Sequence, residues 1–250
     1  MEFIINRDIF LKSIGHASGI VEKKTTLPIL SNILIEAKNS KIKITATDLD
    51  IIYSEEIAVK SLIKEGTTTT SASILYDILR KLESNSDVKL SLQSSNKLNL
   101  ISGNSKFNLL CLSADNFPLS DEDIKQKPFE VPSQKLLNLL NKTKISISND
   151  ETRHYLNGIY LHKMNLENKS FLYGIATDSH RLSSSRLEID QNTDFEKIIL
   201  PKKTIFQLIS LIEQSTNNIK ISNNKSKIKF EIDSGILISK VIDGRFPDYT

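Results

Sequence analysis

Apolar positions at the start of the chain change period within a few residues. Phe3, Ile4 and Ile5 read as a short strand, and Ile9, Phe10, Ile14 and Ala17 then recur at helical spacing up to Gly19. After a polar loop, strand-like runs cover 30–37, 41–47 and 51–59, the middle one alternating Lys41, Ile42, Lys43, Ile44 as a half-buried strand does. This βαβββ pattern recurs at once. A strand is predicted over 67–70, a helix carries Ile74, Leu75, Ile78, Leu79 and Leu82 on one face, and further strands lie near 88–92, 98–101 and 107–112.

Residues 121–128 are acidic, polar and bounded by proline, the composition of a linker, so one domain is expected over 1–120 and a second over 129–250. The second resembles the first. Sliding the chain until Phe3 meets Phe129 also brings Leu11 onto Leu137, Thr26 onto Thr152, Leu30 onto Leu156 and Ile33 onto Ile159. A short insertion at 165–169 then aligns Ala46, Thr47 and Asp48 with Ala176, Thr177 and Asp178, and Leu75 and Tyr76 with Ile205 and Phe206. The copies close on Asn116-Phe117-Pro118 and on Arg245-Phe246-Pro247. Repetition on this scale predicts an α+β architecture assembled from stacked or ringed units.

Composition narrows the function classes. At 250 residues with 39% hydrophobic and 25% charged positions, the chain has the make-up of a globular protein with a core in each of two domains. Its one cysteine, Cys111, excludes an internal disulfide and a thiolate metal cluster. Glu2, Arg7, Asp8 and Lys12 interrupt any signal-like segment and no later run reaches membrane length, so a cytoplasmic protein without a membrane partner is expected.

The net charge of +3 identifies no partner by itself; what matters is whether the 33 Lys and Arg share a face. The outer helix faces and their flanks carry Arg7, Lys12, Lys23, Lys24, Arg80, Lys81, Lys135, Lys142, Lys144, Lys202 and Lys203. Such a surface suits phosphate contacts that read no bases, although a plain solvated face has the same pattern. Neither a helix-turn-helix nor a zinc finger is visible.

The densest cluster of reactive side chains is Thr177, Asp178, Ser179, His180 and Arg181. A hydrolase centred on Asp178 and His180 needs a nucleophile, a base in reach and a group to orient that base, which this run does not supply, so a structural or binding role for His180 is expected. His16, His154 and His162 lack metal-site spacing with Cys or acids. Among only 8 glycines there is neither GxGxxG nor a P-loop, and no cofactor is expected. Asp48 and Asp50 could share one face of a strand as a two-acid site, but the match of Asp48 to Asp178 favours a repeated structural turn. A chain that binds and organises, rather than an enzyme, is the expectation.

Five motifs carry a resemblance along the whole chain: TLPIL at 26–30, TDLD at 47–50, HYLNG at 154–158, ATDSHRL at 176–182 and VIDGRFPDY at 241–249. In this order they resemble the β sliding clamp family of bacterial DNA polymerase III. The resemblance implies the DNA-clamp fold of processivity factors, each domain two βαβββ halves, with helices lining a channel and sheets outside. It implies a non-catalytic ring that encircles duplex DNA without sequence specificity and tethers the replicative polymerase. The catalytic subunit, the clamp loader and repair polymerases would dock through short peptide motifs.

Carried over by position, the resemblance implies a peptide pocket that includes Leu156, Thr177, Ser179, His180, Arg181, Leu182 and Pro247. Ser179 stands where related clamps commonly have glycine, which would make the pocket floor more crowded and more polar. Lys24, Arg80, Lys202 and Lys203 would approach DNA. The protomer interface would use an edge strand around Lys106, Phe107 and Leu109. In the family three such domains form a protomer and two protomers close head to tail. This chain stops after two, so a third domain is expected to be absent, the homodimer not to form and peptide binding to be weakened. The alternative is a DNA-independent peptide-binding adaptor that uses the pocket of the second domain.

Overall fold

The computed structural model describes residues 1–22, 26–94, 96–119, 124–213 and 215–249. They fall into two compact units, Met1–Asp121 and Glu122–Thr250. The first runs β1 (Glu2–Asn6), α1 (Arg7–Ser18), β2 (Asn32–Lys38), β3 (Lys41–Thr47), β4 (Ile51–Ala58), β5 (Ser61–Lys64), β6 (Gly66–Ser71), α2 (Ala72–Lys81), β7 (Asp87–Ser94), β8 (Lys97–Ser102) and β9 (Ser105–Leu110). The second runs β10 (Phe129–Pro132), α3 (Ser133–Thr143), β11 (Gly158–Leu166), β12 (Lys169–Thr177), β13 (Leu182–Ile189), β14 (Ile198–Pro201), α4 (Lys202–Ile212), β15 (Asn218–Asn223), β16 (Lys227–Ile232) and β17 (Gly235–Lys240). Apart from β5, both units follow βαβββ twice. The four residues of β5 are exposed or half-buried, so no apolar rhythm announces them.

The two halves of each unit interlock. The first strand of one half pairs with the sheet of the other: β1 with β7, β6 with β2, β10 with β15 and β14 with β11, all antiparallel. The strand orders are therefore β5-β1-β7-β8-β9 and β4-β3-β2-β6 in the first unit, and β10-β15-β16-β17 and β13-β12-β11-β14 in the second. Pairs of antiparallel neighbours are joined by tight turns with left-handed residues, such as Asn39 and Ser40 (φ +52° and +60°) and Glu167 and Asn168 (φ +49° and +62°). The 165–169 insertion seen in the sequence is the tip of the β11–β12 hairpin.

Side-chain caps start the two helices of the first unit, whereas α3 and α4 follow Pro132 and Pro201 without one. The Asn6 side chain accepts the N–H groups of Asp8 and Ile9 and starts α1, and Ser71 caps α2 in the same way. Phe10, Ile14 and Ala17 of α1 and Leu75 and Leu79 of α2 are buried, whereas Ile9 and Ile74, expected on the apolar stripes, are 52% and 54% exposed. Each lies beside the stripe rather than on it, so burial of the neighbouring position does not carry it inward. In the second unit α3 packs so closely on β12 that a Cβ at Gly174 would lie 2.5 Å from Leu139 Cδ2.

Arg7 corrects the expectation of an outward-facing cation. Its guanidinium is buried, with Nε donating to the Leu79 carbonyl at 2.6 Å and Nη2 to that of Arg80 at 2.9 Å, while Nη1 meets Asp8 at 2.6 Å. Arg7 thus ties the start of α1 to the carbonyl end of α2, where orphan acceptors and the negative end of the helix dipole favour a cation. A second polar network joins α1 to β4. Glu55 Oε2 accepts from Ser13 Oγ at 2.7 Å and from the Tyr53 hydroxyl at 3.0 Å, and His16 Nδ1 lies 3.6 Å away. No helix among the described residues is long and apolar enough to cross a membrane.

Candidate functional site

The run singled out for its reactive side chains is a tight turn between β12 and β13. Asp178 Oδ1 accepts the N–H groups of His180 and Arg181, both at 3.0 Å, and Oδ2 accepts Arg181 Nε at 3.0 Å. These donors, the His180 N–H foremost, hold the Asp178 carboxyl below the usual carboxylate range. Thr177 Oγ1 donates to the Arg181 carbonyl at 2.8 Å and accepts the Ser179 N–H at 3.1 Å. The first unit repeats the turn: Thr47 bonds the carbonyl of Ile51 and the N–H of Leu49, and Asp48 Oδ1 accepts from Asp50 and Ile51. The Thr-Asp pair is therefore turn chemistry in both places. With both oxygens committed to the turn, Asp178 is not disposed to orient His180 as a catalytic base.

The turn forces its third residue into the left-handed region, at φ +76° for Ser179 and +79° for Leu49. A side chain there is strained, and glycine is not. Ser179 Oγ accepts Arg153 Nη1 at 2.8 Å, but on an exposed surface where the bond contributes little. Ser179→Gly is accordingly expected to stabilise the protein by about 1 kcal/mol, read as a melting temperature roughly 2 to 4 °C higher. An unchanged or lower melting temperature would show that the Arg153 bond outweighs the strain.

Two motifs distant in sequence converge on the short 3₁₀ segment Glu151–Leu156, which runs into the HYLNG motif. Arg153, held at its Nε by Asp150 at 2.8 Å, reaches Ser179 of the β12–β13 turn. His154 Nε2 lies 3.2 Å from the Asp243 carbonyl, and Gly244 packs so tightly on Tyr155 that a Cβ there would stand 3.0 Å from the tyrosine Cβ. Leu156, Ile175, Ile199 and Phe246 close a small core beneath, with Tyr155, Tyr160 and Ile242 against it. Leu156, expected on a pocket wall, is consequently only 2% exposed and supports the surface from below.

Thr177 is half-buried, whereas Ser179, His180, Arg181, Leu182 and Pro247 are exposed, Leu182 by 48%. A cavity of about 450 Å³ is bounded by Tyr160, Ile199, Lys225, Phe246, Pro247 and Tyr249, so Pro247 alone among the expected pocket residues lines it. Arg153, Tyr155 and Tyr160 escaped the sequence reading. Tyr155 lies inside the HYLNG motif and Arg153 directly before it, which was the signal available; Tyr160 enters only through the face its strand turns outward.

Of the cations expected near DNA, Lys24 lies outside the described residues. Arg80 is exposed in the last turn of α2, 3.7 Å from Asp77 and above the Tyr76 ring at 5.9 Å. Lys202 and Lys203 open α4, with Lys202 Nζ bonded to Asn149. On the edge strand β9, Lys106 is exposed and Phe107 half-buried, but Leu109 is 4% exposed because it faces Leu98 within the core. The strand's alternation turns Leu110 outward instead, at 83% exposure.

Residues 1–121 match the N-terminal domain of the DNA polymerase III beta subunit, and residues 130–248 match its central domain. The beta sliding clamp of Caulobacter vibrioides is 37% identical over 251 residues, covering all of this chain and 67% of the relative. A crystal structure of the Caulobacter crescentus clamp superposes with a TM-score of 0.96 at 37% identity, covering all of this chain and 66% of that one. The Bartonella birtlesii clamp, solved bound to griselimycin, superposes with a TM-score of 0.95 at 38% identity over all of this chain and 67% of its own. This chain thus spans about two-thirds of the length of these relatives. With both units matched and the α+β clamp architecture reproduced in each, the chain belongs to the DNA polymerase III beta subunit family, the beta sliding clamps.

Proposed function

We propose that this chain works as a non-catalytic sliding clamp, part of a ring that holds duplex DNA without reading its sequence and gives a replicative polymerase its processivity. Its partners dock by short peptides on the surface made by Thr177, Ser179, His180, Arg181, Leu182 and Pro247, with Leu156 supporting that surface from beneath. The observation that carries this reading is the convergence of HYLNG, ATDSHRL and DGRFPDY around residues 151–156, in a chain of the clamp family. The exposed Leu182 and Pro247 offer apolar contact, and Arg181 and His180 add polar groups, the division expected of a small peptide site.

Lys24, Arg80, Lys202 and Lys203 serve as weak, sequence-independent phosphate contacts that permit sliding. A second copy joins at the β9 edge, through its backbone, Lys106 and Phe107, while Leu109 secures the strand to the core.

The test is titration of the chain with griselimycin and with a peptide from a cognate polymerase catalytic subunit, followed by NMR. Leu182→Asp is expected to weaken both at least tenfold, since it places a charge in an apolar contact. Lys202→Glu with Lys203→Glu is expected to flatten the salt dependence of DNA binding while leaving peptide binding intact. Unaltered affinity in Leu182→Asp would remove the docking site from this surface. Peptide binding by a chain that shows no DNA interaction would favour the adaptor alternative.

A further inference from the structure

The face of the β13-β12-β11-β14 sheet turned away from α3 carries a ladder of rings. Phe246 stacks on Tyr160 at 4.9 Å with 8° between planes, Tyr160 on His162 at 4.9 Å and 28°, and His162 on Tyr173 at 5.7 Å and 16°. Arg186 completes it, 4.5 Å from the Phe171 ring and donating to the Tyr173 hydroxyl at 2.7 Å. The ladder is more than a covered apolar face, because it holds a strand-free stretch of chain. Phe246 is buried in it, and three residues later the Tyr249 hydroxyl lies 2.6 Å from His162 Nε2. Upstream, the Asp243 carbonyl meets His154. Residues 243–249 are thus held at three points, the last two bracketing Pro247.

We infer that His162 and Tyr249 are positioning residues that latch the 243–249 segment onto the aromatic ladder and so present Pro247 to a docking peptide. The inference rests on the docking surface proposed above. Its physical basis is local. Pro247 is exposed and has no N–H with which to join a sheet, so its place depends on its neighbours. Phe246 anchors one side by burial, and without the His162 bond the other side would be free to swing about that anchor. Burial keeps the His162 imidazole below its ordinary pKa, with Lys197 adding to the effect against the Lys163 carbonyl. The neutral ring can accept a hydrogen bond from the Tyr249 O–H at Nε2.

The experiment measures amide hydrogen exchange of residues 243–249 in the chain without ligand, and griselimycin affinity by NMR titration. Tyr249→Phe and His162→Phe keep the rings and remove one bonding partner each. Both are expected to speed exchange at Asp248 and Tyr249 about five- to tenfold and to weaken griselimycin by a similar factor. The double variant should do no more than either single one, and His162→Gln, which restores an acceptor, should recover most of the protection. Exchange unchanged in Tyr249→Phe overturns the latch. Faster exchange with undiminished affinity overturns the positioning role. A wild-type chain that does not bind griselimycin, yet shows faster exchange in both variants, overturns the docking reading and the positioning role with it, while the exchange data stand as support for the latch alone.

Discussion

Gly158→Ala is expected to destabilise the second unit by about 3 kcal/mol or more. A Cβ at this position would stand 2.2 Å from the Leu200 carbonyl oxygen and 2.9 Å from its carbon. Both atoms are backbone, so no rotamer change relieves the clash. β11 would have to withdraw from β14 where Gly158 faces Pro201 and Ile159 faces Leu200. That movement would also pull on the Lys202 N–H bond to the Asn157 carbonyl at 3.0 Å, which fixes the start of α4. Native-state hydrogen exchange under increasing urea, resolved by unit, measures the loss without assuming that both units unfold together. Gly103→Ala is the comparison. Its Cβ would meet nothing within 4 Å, and only the backbone at φ +54° is strained. A cost of about 1 kcal/mol is expected there, confined to the first unit. If Gly158→Ala costs no more than this, the strand contact is softer than its geometry indicates.

Glu55→Ala is expected to remove up to about 3 kcal/mol at neutral pH. Burial by itself would raise the Glu55 pKa, but the bonds from His16, Ser13 and Tyr53 outweigh it and bring the carboxyl down from 4.5 to about 2. A depressed folded-state pKa means that the unfolded chain binds the proton more readily. The stabilisation is therefore fully present above pH 4.5 and is lost as pH falls towards 2. Removing the carboxylate also leaves part-buried hydroxyls without their acceptor, which adds a desolvation cost. Urea unfolding of the wild type and of Glu55→Gln from pH 7 to pH 2.5 tests this directly. The gap between them should be widest at pH 7 and narrow through the acid range, because only the wild type loses a charge there. A gap that stays constant with pH would assign the stability to packing.

Much of the architecture was legible because it is written in short-range pattern. Apolar period located α1, α2 and most strands of the first unit, and the internal repeat carried that order into the second, since an amphipathic face is set within a turn or two of the residue concerned. The Thr-Asp turns were legible for the same reason: each side chain bonds backbone no more than four residues away. Site residues were less so. Leu156 and Leu109 lie in runs whose identity marked them as important, yet burial turned one beneath the surface and the other into the core. Arg7 looked like a solvated cation, because the carbonyls it caps lie more than seventy residues along the chain.

By itself, then, the sequence determined the repeated βαβββ order, the turn chemistry, the exclusion of an internal disulfide by a single cysteine and the family, all of which depend on residue identity and near neighbours. Only the tertiary structure decided that each half lends its first strand to the other's sheet, that Arg7 caps α2, and that His162 meets Tyr249 across the aromatic ladder. These are pairings between distant segments, and periodicity fixes which face a residue presents but not which partner that face will meet.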